Sequence, residues 1–299
     1  MFWQYAVFSR VIVGHIIAQP ALKLLLSWAR KNKLIPKNAS QIEVSTKIKW
    51  LLVCLFTFCL VFSLIFAAIS GIRYQPLMLM ALTIGFLNGF AAYAQWRAID
   101  ISLSKTSLFT QADDIIGMLL GYLLLHETVF LTPRLCFGVL LCVIAGILIA
   151  TYERNLQLIK YVGIYSVIWG VASFLFRYFT LNNLPTSEFL ISWYIGASVS
   201  TLLIATVLLR GNIPASLSKK EISRVGLVAL PVWAALVLAY ISAQKSPITV
   251  YQPIFLASEA IFPSLVGLYY FHENKVLSLR EKIAFVIGIA GVVIISFSY

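Results

Sequence analysis

Acids inside apolar runs are the first residues in this chain that point to chemistry. Asp113 lies in Thr110-Gln111-Ala112-Asp113-Asp114, and Glu259 stands 146 positions later in a second apolar run. An ionised carboxylate at the centre of a bilayer costs about 2.5–3.5 kcal/mol on insertion scales, so it faces a cavity or a partner. Such groups bind a cationic or amine-bearing solute, or carry a coupling proton. The plainer alternative is a structural ion pair with Arg10 or Arg97. Neighbours on a helix point about 100° apart. Asp113 shares a stripe with Thr106, Thr110, Gly117 and Gly121, and Asp114 with Ser107, Gln111 and Met118. Asp113 is the stronger cavity candidate, because the position matching Asp114 is Ala260, not an acid.

Other side chains offer contacts. Arg10 suits a solute carboxylate or a buried acid, and near a helix end it equally suits snorkelling to headgroups. His15 suits a proton relay or an interhelical hydrogen bond. Trp96, Trp169 and Trp233 are candidate cavity walls, where a ring face holds a desolvated cation by about 2 kcal/mol. Packing alone explains most such rings. Gln95, Tyr240 and Gln252 are lesser polar candidates. Tyr251-Gln252-Pro253 and Phe262-Pro263 frame Glu259, and a membrane proline frees carbonyls that a neighbour or ligand must satisfy.

Catalysis finds no comparable pattern. His126 and His272 each precede a glutamate, with no second histidine one turn away. No glycine-rich phosphate loop or nucleophile elbow is present. Cys54, Cys59, Cys136 and Cys142 sit in apolar runs without metal-type spacing. The expectation is no enzyme activity, no cofactor and no metal.

The elements that position these residues are membrane spans. Sixty-one per cent of residues are apolar and 11% charged, with a mean hydropathy of +0.91. The net charge of +12 forms no basic face, so nucleic acid is not expected as a partner. About 20 apolar residues cross a bilayer as a helix. Ten segments qualify: 2–28, 49–71, 77–99, 104–125, 133–151, 158–178, 187–210, 224–243, 248–271 and 282–298. The first begins too abruptly for a cleaved signal and is expected to be retained.

The tail repeats the middle. Gly121, His126, Glu127, Leu131 and Arg134 reappear as Gly267, His272, Glu273, Leu277 and Arg280, and Ala145-Gly146 reappears one residue out of register as Ala290-Gly291. The break near 152–157 divides the chain into residues 1–152 and 153–299, five spans each. An odd number of helices per unit inverts the second copy, and the site then lies near the midplane between the halves. The expected fold is an all-α integral membrane protein of ten transmembrane helices in two inverted five-helix repeats. Basic residues crowd the gaps after odd-numbered spans; the others hold only Arg73, Arg134, Arg177 and Lys245. That bias sets both termini outside.

The Glu127 and Glu273 junctions, each followed by a short basic gap and a Gly/Ala-rich helix, resemble the drug/metabolite transporter superfamily, EamA type. Trp169-Gly170 at the start of the second half fits as well. The likeness extends over nearly all of the chain. It implies a central cavity lined mainly by spans 1, 3, 4, 6, 8 and 9, transport by alternating access, and Glu127 and Glu273 as structural caps. Three departures stand out: the first span lacks the Trp-Gly pair, the gap at 29–48 is long and basic, and the bacterial family usually keeps its termini inside. The expected activity is secondary transport of a small polar metabolite across a bacterial inner membrane. An amine-bearing or cationic solute is preferred, such as an amino acid or an S-adenosylmethionine-like compound, with protons as a candidate coupling ion. Lipid surrounds the protein, which works as a monomer or homodimer. The alternatives are a toxic-cation exporter of the same fold, a polytopic scaffold, or a lipid-modifying enzyme.

Overall fold

The computed structural model describes residues 2–31, 41–127, 132–152, 156–207, 219–273 and 278–296. Among these residues there is no strand, and helices make up nearly the whole structure. Helix is the shape that satisfies every backbone group within one segment when no water is at hand. Leu131 and Leu277 of the repeat, and the middle of the break between the halves, lie outside the described residues.

The N-terminal rod comprises α1 (Phe2–Arg10), a π-helical stretch (Val11–Ala18) and α2 (Gln19–Lys31). Then follow α3 (Gln41–Ser70), α4 (Leu77–Ile101), α5 (Leu103–Phe109), α6 (Gln111–Leu124), α7 (Pro133–Tyr152), α8 (Leu156–Leu181), α9 (Thr186–Val207) and α10 (Lys219–Lys245). The last elements are α11 (Ile248–Leu265), a π turn (Val266–Tyr270) and α12 (Leu279–Ser296).

Among the described residues, seven helices are long and apolar enough to cross a membrane: Gln4–Trp28, Ile48–Ser70, Leu77–Ile101, Leu156–Leu181, Thr186–Val207, Lys219–Lys245 and Ile248–Tyr270. The protein is therefore a multi-pass membrane protein by length and composition. Ten spans were expected, and the other three do not stand out in the same way. The segment at 104–125 is broken at Thr110 into α5 and α6. Among the described residues, α7 and α12 are apolar over Pro133–Ala145 and Lys282–Ile295. Arg177, taken as a gap charge, lies inside α8 instead, and Lys49 and Arg97 are buried within α3 and α4.

Close crossings fix the bundle. Helix α9 packs against α3 and α4, α8 against α4 and α6, α10 against α3 and the N-terminal rod, and α11 against α5 and α6. At the α4–α9 crossing, a Cβ on Gly85 would strike the Trp193 backbone and one on Gly196 the Leu82 carbonyl. Lipid-embedded helices gain little from apolar burial against one another, so contact at backbone range is what holds them. Helices α7 and α12 form a pair of their own, crossing at Gly138 and Gly291.

Candidate functional site

The rod's π stretch decides which of its side chains face inward. The Gln19 N–H returns to the Gly14 carbonyl, one residue further back than in an α-helix, which widens the turn. Both the Arg10–Gly14–Ala18–Leu22 line and the His15–Gln19 pair then line a single cavity. Gly14 leaves room for the Arg10 guanidinium, which a Cβ there would displace.

That cavity has a volume of about 120 Å³ and lies among the rod, α3, α4, α6, α8, α9, α10 and α11. Helices α7 and α12 contribute no lining residue. Asp113 and Asp114 enter from α6 and Glu259 from α11, each no more than 5% exposed. Glu259 Oε1 accepts from Gln19 Nε2 at 2.7 Å and from Thr110 Oγ1 at 3.2 Å. His15 Nε2 lies 3.7 Å from Glu259 Oε2, while its Nδ1 meets Ser258 Oγ at 2.5 Å. Asp114 Oδ1 accepts from Gln252 Nε2, and Asp113 Oδ1 from the Asp114 N–H at 2.9 Å. Arg10 rests over the Phe255 ring at 5.5 Å.

Several buried polar atoms at this site have no protein partner: Arg10 Nε and Nη1, Asp114 Oδ2, Gln252 Oε1 and Asn88 Oδ1. Buried polar atoms are normally paired, so a group of orphans around one hollow marks where a solute or water makes the missing bonds. One wall is aromatic: Trp169 lies 5.8 Å from Trp193, and Phe176 lies 5.3 Å from Trp193. Among the described residues no group of three or more His, Cys, Asp or Glu side chains is placed to hold a metal ion.

Of the residues expected at the site, Arg10, Gln95, Trp96, Asp113, Asp114, Trp169, Gln252 and Glu259 all line the cavity. Trp233 and Tyr240 do not. The Trp233 Nε1 donates to Ser63 Oγ at 3.0 Å, and its ring packs on Phe62 and Phe66. The Tyr240 hydroxyl donates to the Leu184 carbonyl at 2.7 Å while its ring stacks on Phe189 at 4.0 Å. Arg97 is not the partner of an acid here. Gln19, Asn88, Tyr165 and Ser258 escaped the sequence reading, although Gln19 and Asn88 are polar residues within apolar spans.

The two His-Glu junctions do a different job. His126 and His272 both take positive φ, 55° and 57°, and so turn the chain out of a helix end. Glu127 accepts from the Ile248 N–H at 2.8 Å, at the start of α11, and from Arg177 Nε at 2.8 Å. Glu273 accepts from the N–H groups of Leu103 and Ser104 at 3.0 and 2.9 Å, at the start of α5, and from the Ser102 and Ser104 hydroxyls. Lys23 Nζ stands 3.6 Å from Glu273 and donates to the Ile99 carbonyl at 2.6 Å; Arg177 Nη1 donates likewise to the Ala243 carbonyl at 2.8 Å. Each glutamate thus caps a helix far along the chain. Burial alone would raise the Glu273 pKa, but the Ser104 hydroxyl, the two N–H groups and Lys23 outweigh it and hold the carboxyl below the usual range.

No family model and no curated protein matches the sequence. Among solved structures, one described only as a crystal structure of a protein has a similar fold. Its TM-score is 0.61 at 14% identity, over 98% of this chain and 96% of its own.

Proposed function

We propose that this chain is a secondary transporter of a small amine-bearing or cationic metabolite, working by alternating access. The observation that carries this reading is the charge of the cavity. Three carboxylates, Asp113, Asp114 and Glu259, face one permanent cation, Arg10. A cationic group or bound protons would balance the excess, since unpaired buried charge is costly. The volume of about 120 Å³ has room for on the order of ten water-sized groups, which suits an amino acid better than a nucleoside conjugate. Arg10 on one side and the acids on another would hold both ends of a zwitterion.

In this reading the chain forms ten spans in two inverted five-helix halves, like the drug/metabolite transporter superfamily, with α5 and α6 as one broken span. Reciprocity supports it. Glu127 caps Ile248 and Glu273 caps Leu103, and those two capped residues are 145 positions apart, close to the 146-residue repeat offset. The two caps also sit at opposite ends of α8. Leu158 packs with Ala98, near the Glu273 cap, whereas the Glu127 partner Arg177 stands 19 residues further along, roughly 28 Å at 1.5 Å per residue.

The test is thermal stability of purified protein against a panel of amino acids and organic cations, at two pH values, with counterflow in proteoliposomes for any hit. A solute that stabilises the wild type, exchanges across the vesicle and loses both effects in Asp113→Asn and Glu259→Gln is the expected result. If no cation or zwitterion stabilises the wild type, while both variants melt lower, the acids are structural and the proposal falls.

A further inference from the structure

Outside the cavity, two cations are buried with no acid among the described residues to neutralise them. Arg97, near the C-terminal end of α4, is 7% exposed, and so is Lys49, near the start of the Ile48–Ser70 span. Arg97 Nε and Nη1 have no hydrogen-bond partner. Neither cation has a carboxylate at ion-pair distance among the described residues. Arg97 stands one turn after Tyr93 on α4, which places it on the same helix face as the ring that Lys49 approaches. What surrounds them is aromatic: Lys49 Nζ lies 5.7 Å from the Tyr93 ring centre and the Arg97 guanidinium 5.5 Å from that of Tyr161. The two rings meet edge to face at 6.5 Å. The four side chains form a run of cation, ring, ring and cation, drawn from α3, α4 and α8.

Cation–π contact compensates only part of the desolvation of one charge, and here two like charges also repel. Two cations held among aromatic rings between membrane helices, with no carboxylate at ion-pair distance among the described residues, suit an anion. We propose that Arg97 and Lys49 bind a phosphate group at the membrane face, supplied by a lipid headgroup or by free phosphate. The guanidinium fork fits two phosphate oxygens at once, and the ammonium adds a point charge. Depth agrees with that ligand. Arg97 is one turn from the end of α4 at Ile101, and Tyr161 lies one to two turns into α8, beside exposed Lys160. The ends of bilayer-length spans fall at headgroup level. The site shares no residue with the carboxylate cavity and does not depend on the transport reading.

Full-length protein stripped of lipid in a non-ionic detergent gives the test, by thermal shift. One arm titrates inorganic phosphate and the other phosphatidylglycerol, with phosphatidylcholine as reference. Stabilisation by inorganic phosphate identifies a free anion as sufficient; stabilisation by phosphatidylglycerol alone, above phosphatidylcholine, identifies the headgroup. In either case Arg97→Gln and Lys49→Gln should each weaken the apparent affinity by roughly tenfold or more, and Asp113→Asn should leave it unchanged. Should Arg97→Gln fail to fold, Lys49→Gln carries the same comparison. The proposal is overturned if neither ligand raises the melting temperature of the wild type, or if the variants bind as tightly as it does.

Discussion

Replacing Glu273 by glutamine keeps the side chain's shape and removes its charge, so it isolates what the cap contributes. The carboxylate accepts four hydrogen bonds, from Leu103 N, Ser104 N and the hydroxyls of Ser102 and Ser104. Bonds to a charged acceptor contribute about 1.5–3 kcal/mol and neutral ones about 0.5–1.5, a difference of about 1 kcal/mol for each of the two backbone bonds. The glutamine NH2 would also face a donor, and the serine hydroxyls can rotate to accept from it where a backbone N–H cannot. With one N–H orphaned, the total cost is about 2–4 kcal/mol. Lys23 keeps the Ile99 and Asp100 carbonyls, so its charge is not stranded. Reversible denaturation in mixed micelles, followed by circular dichroism at several pH values, measures it. Because folding lowers the Glu273 pKa, the ionised carboxyl stabilises the protein above the ordinary value of about 4.3, and that contribution is lost as pH falls below it. Wild type and Glu273→Gln should therefore converge in acid. A variant as stable as wild type at neutral pH, or a gap that does not narrow in acid, would refute the account.

Two further outcomes are expected. Gly14→Ala should displace the Arg10 guanidinium, costing about 1–3 kcal/mol by overpacking, and should weaken whatever solute the cavity binds; an unchanged melting curve and affinity would contradict the placement of Arg10. Tyr240→Phe should cost about 1–3 kcal/mol, by leaving the buried Leu184 carbonyl unsatisfied, yet leave solute affinity intact because Tyr240 stands behind the cavity wall; calorimetric titration showing a weakened affinity would put it back in the site.

Hydropathy located the seven long apolar helices because a bilayer-length apolar run is a one-dimensional signal. The acids Asp113, Asp114 and Glu259 were legible too, since a carboxylate in such a run has few places to go. Direction around each helix was the harder matter. A span that is apolar on every side has no polar stripe to orient it, which is why Trp233 and Tyr240 read no differently from Trp96 and Trp169. The π stretch at Val11–Ala18 was invisible for a related reason: one extra residue per turn leaves composition untouched while carrying His15 and Gln19 onto the inward face. The break at Thr110 likewise left no proline or glycine behind to announce it. Glu127 and Glu273 look like loop acids in isolation; the family resemblance implied caps, but which helices they cap follows only from N–H donors more than a hundred residues away in sequence.

Those two glutamates also set a schedule for synthesis. The start of α5 acquires its cap only when Glu273 has been made, 170 residues after Leu103. At about 5–20 residues per second this is a wait of roughly 10–30 s. Throughout that interval the N–H groups of Leu103 and Ser104 lack their carboxylate. The first half therefore enters the membrane unfinished, and the end of the chain completes it. A ribosome that stopped before residue 273 would leave α12 unmade and one of the two clasps open.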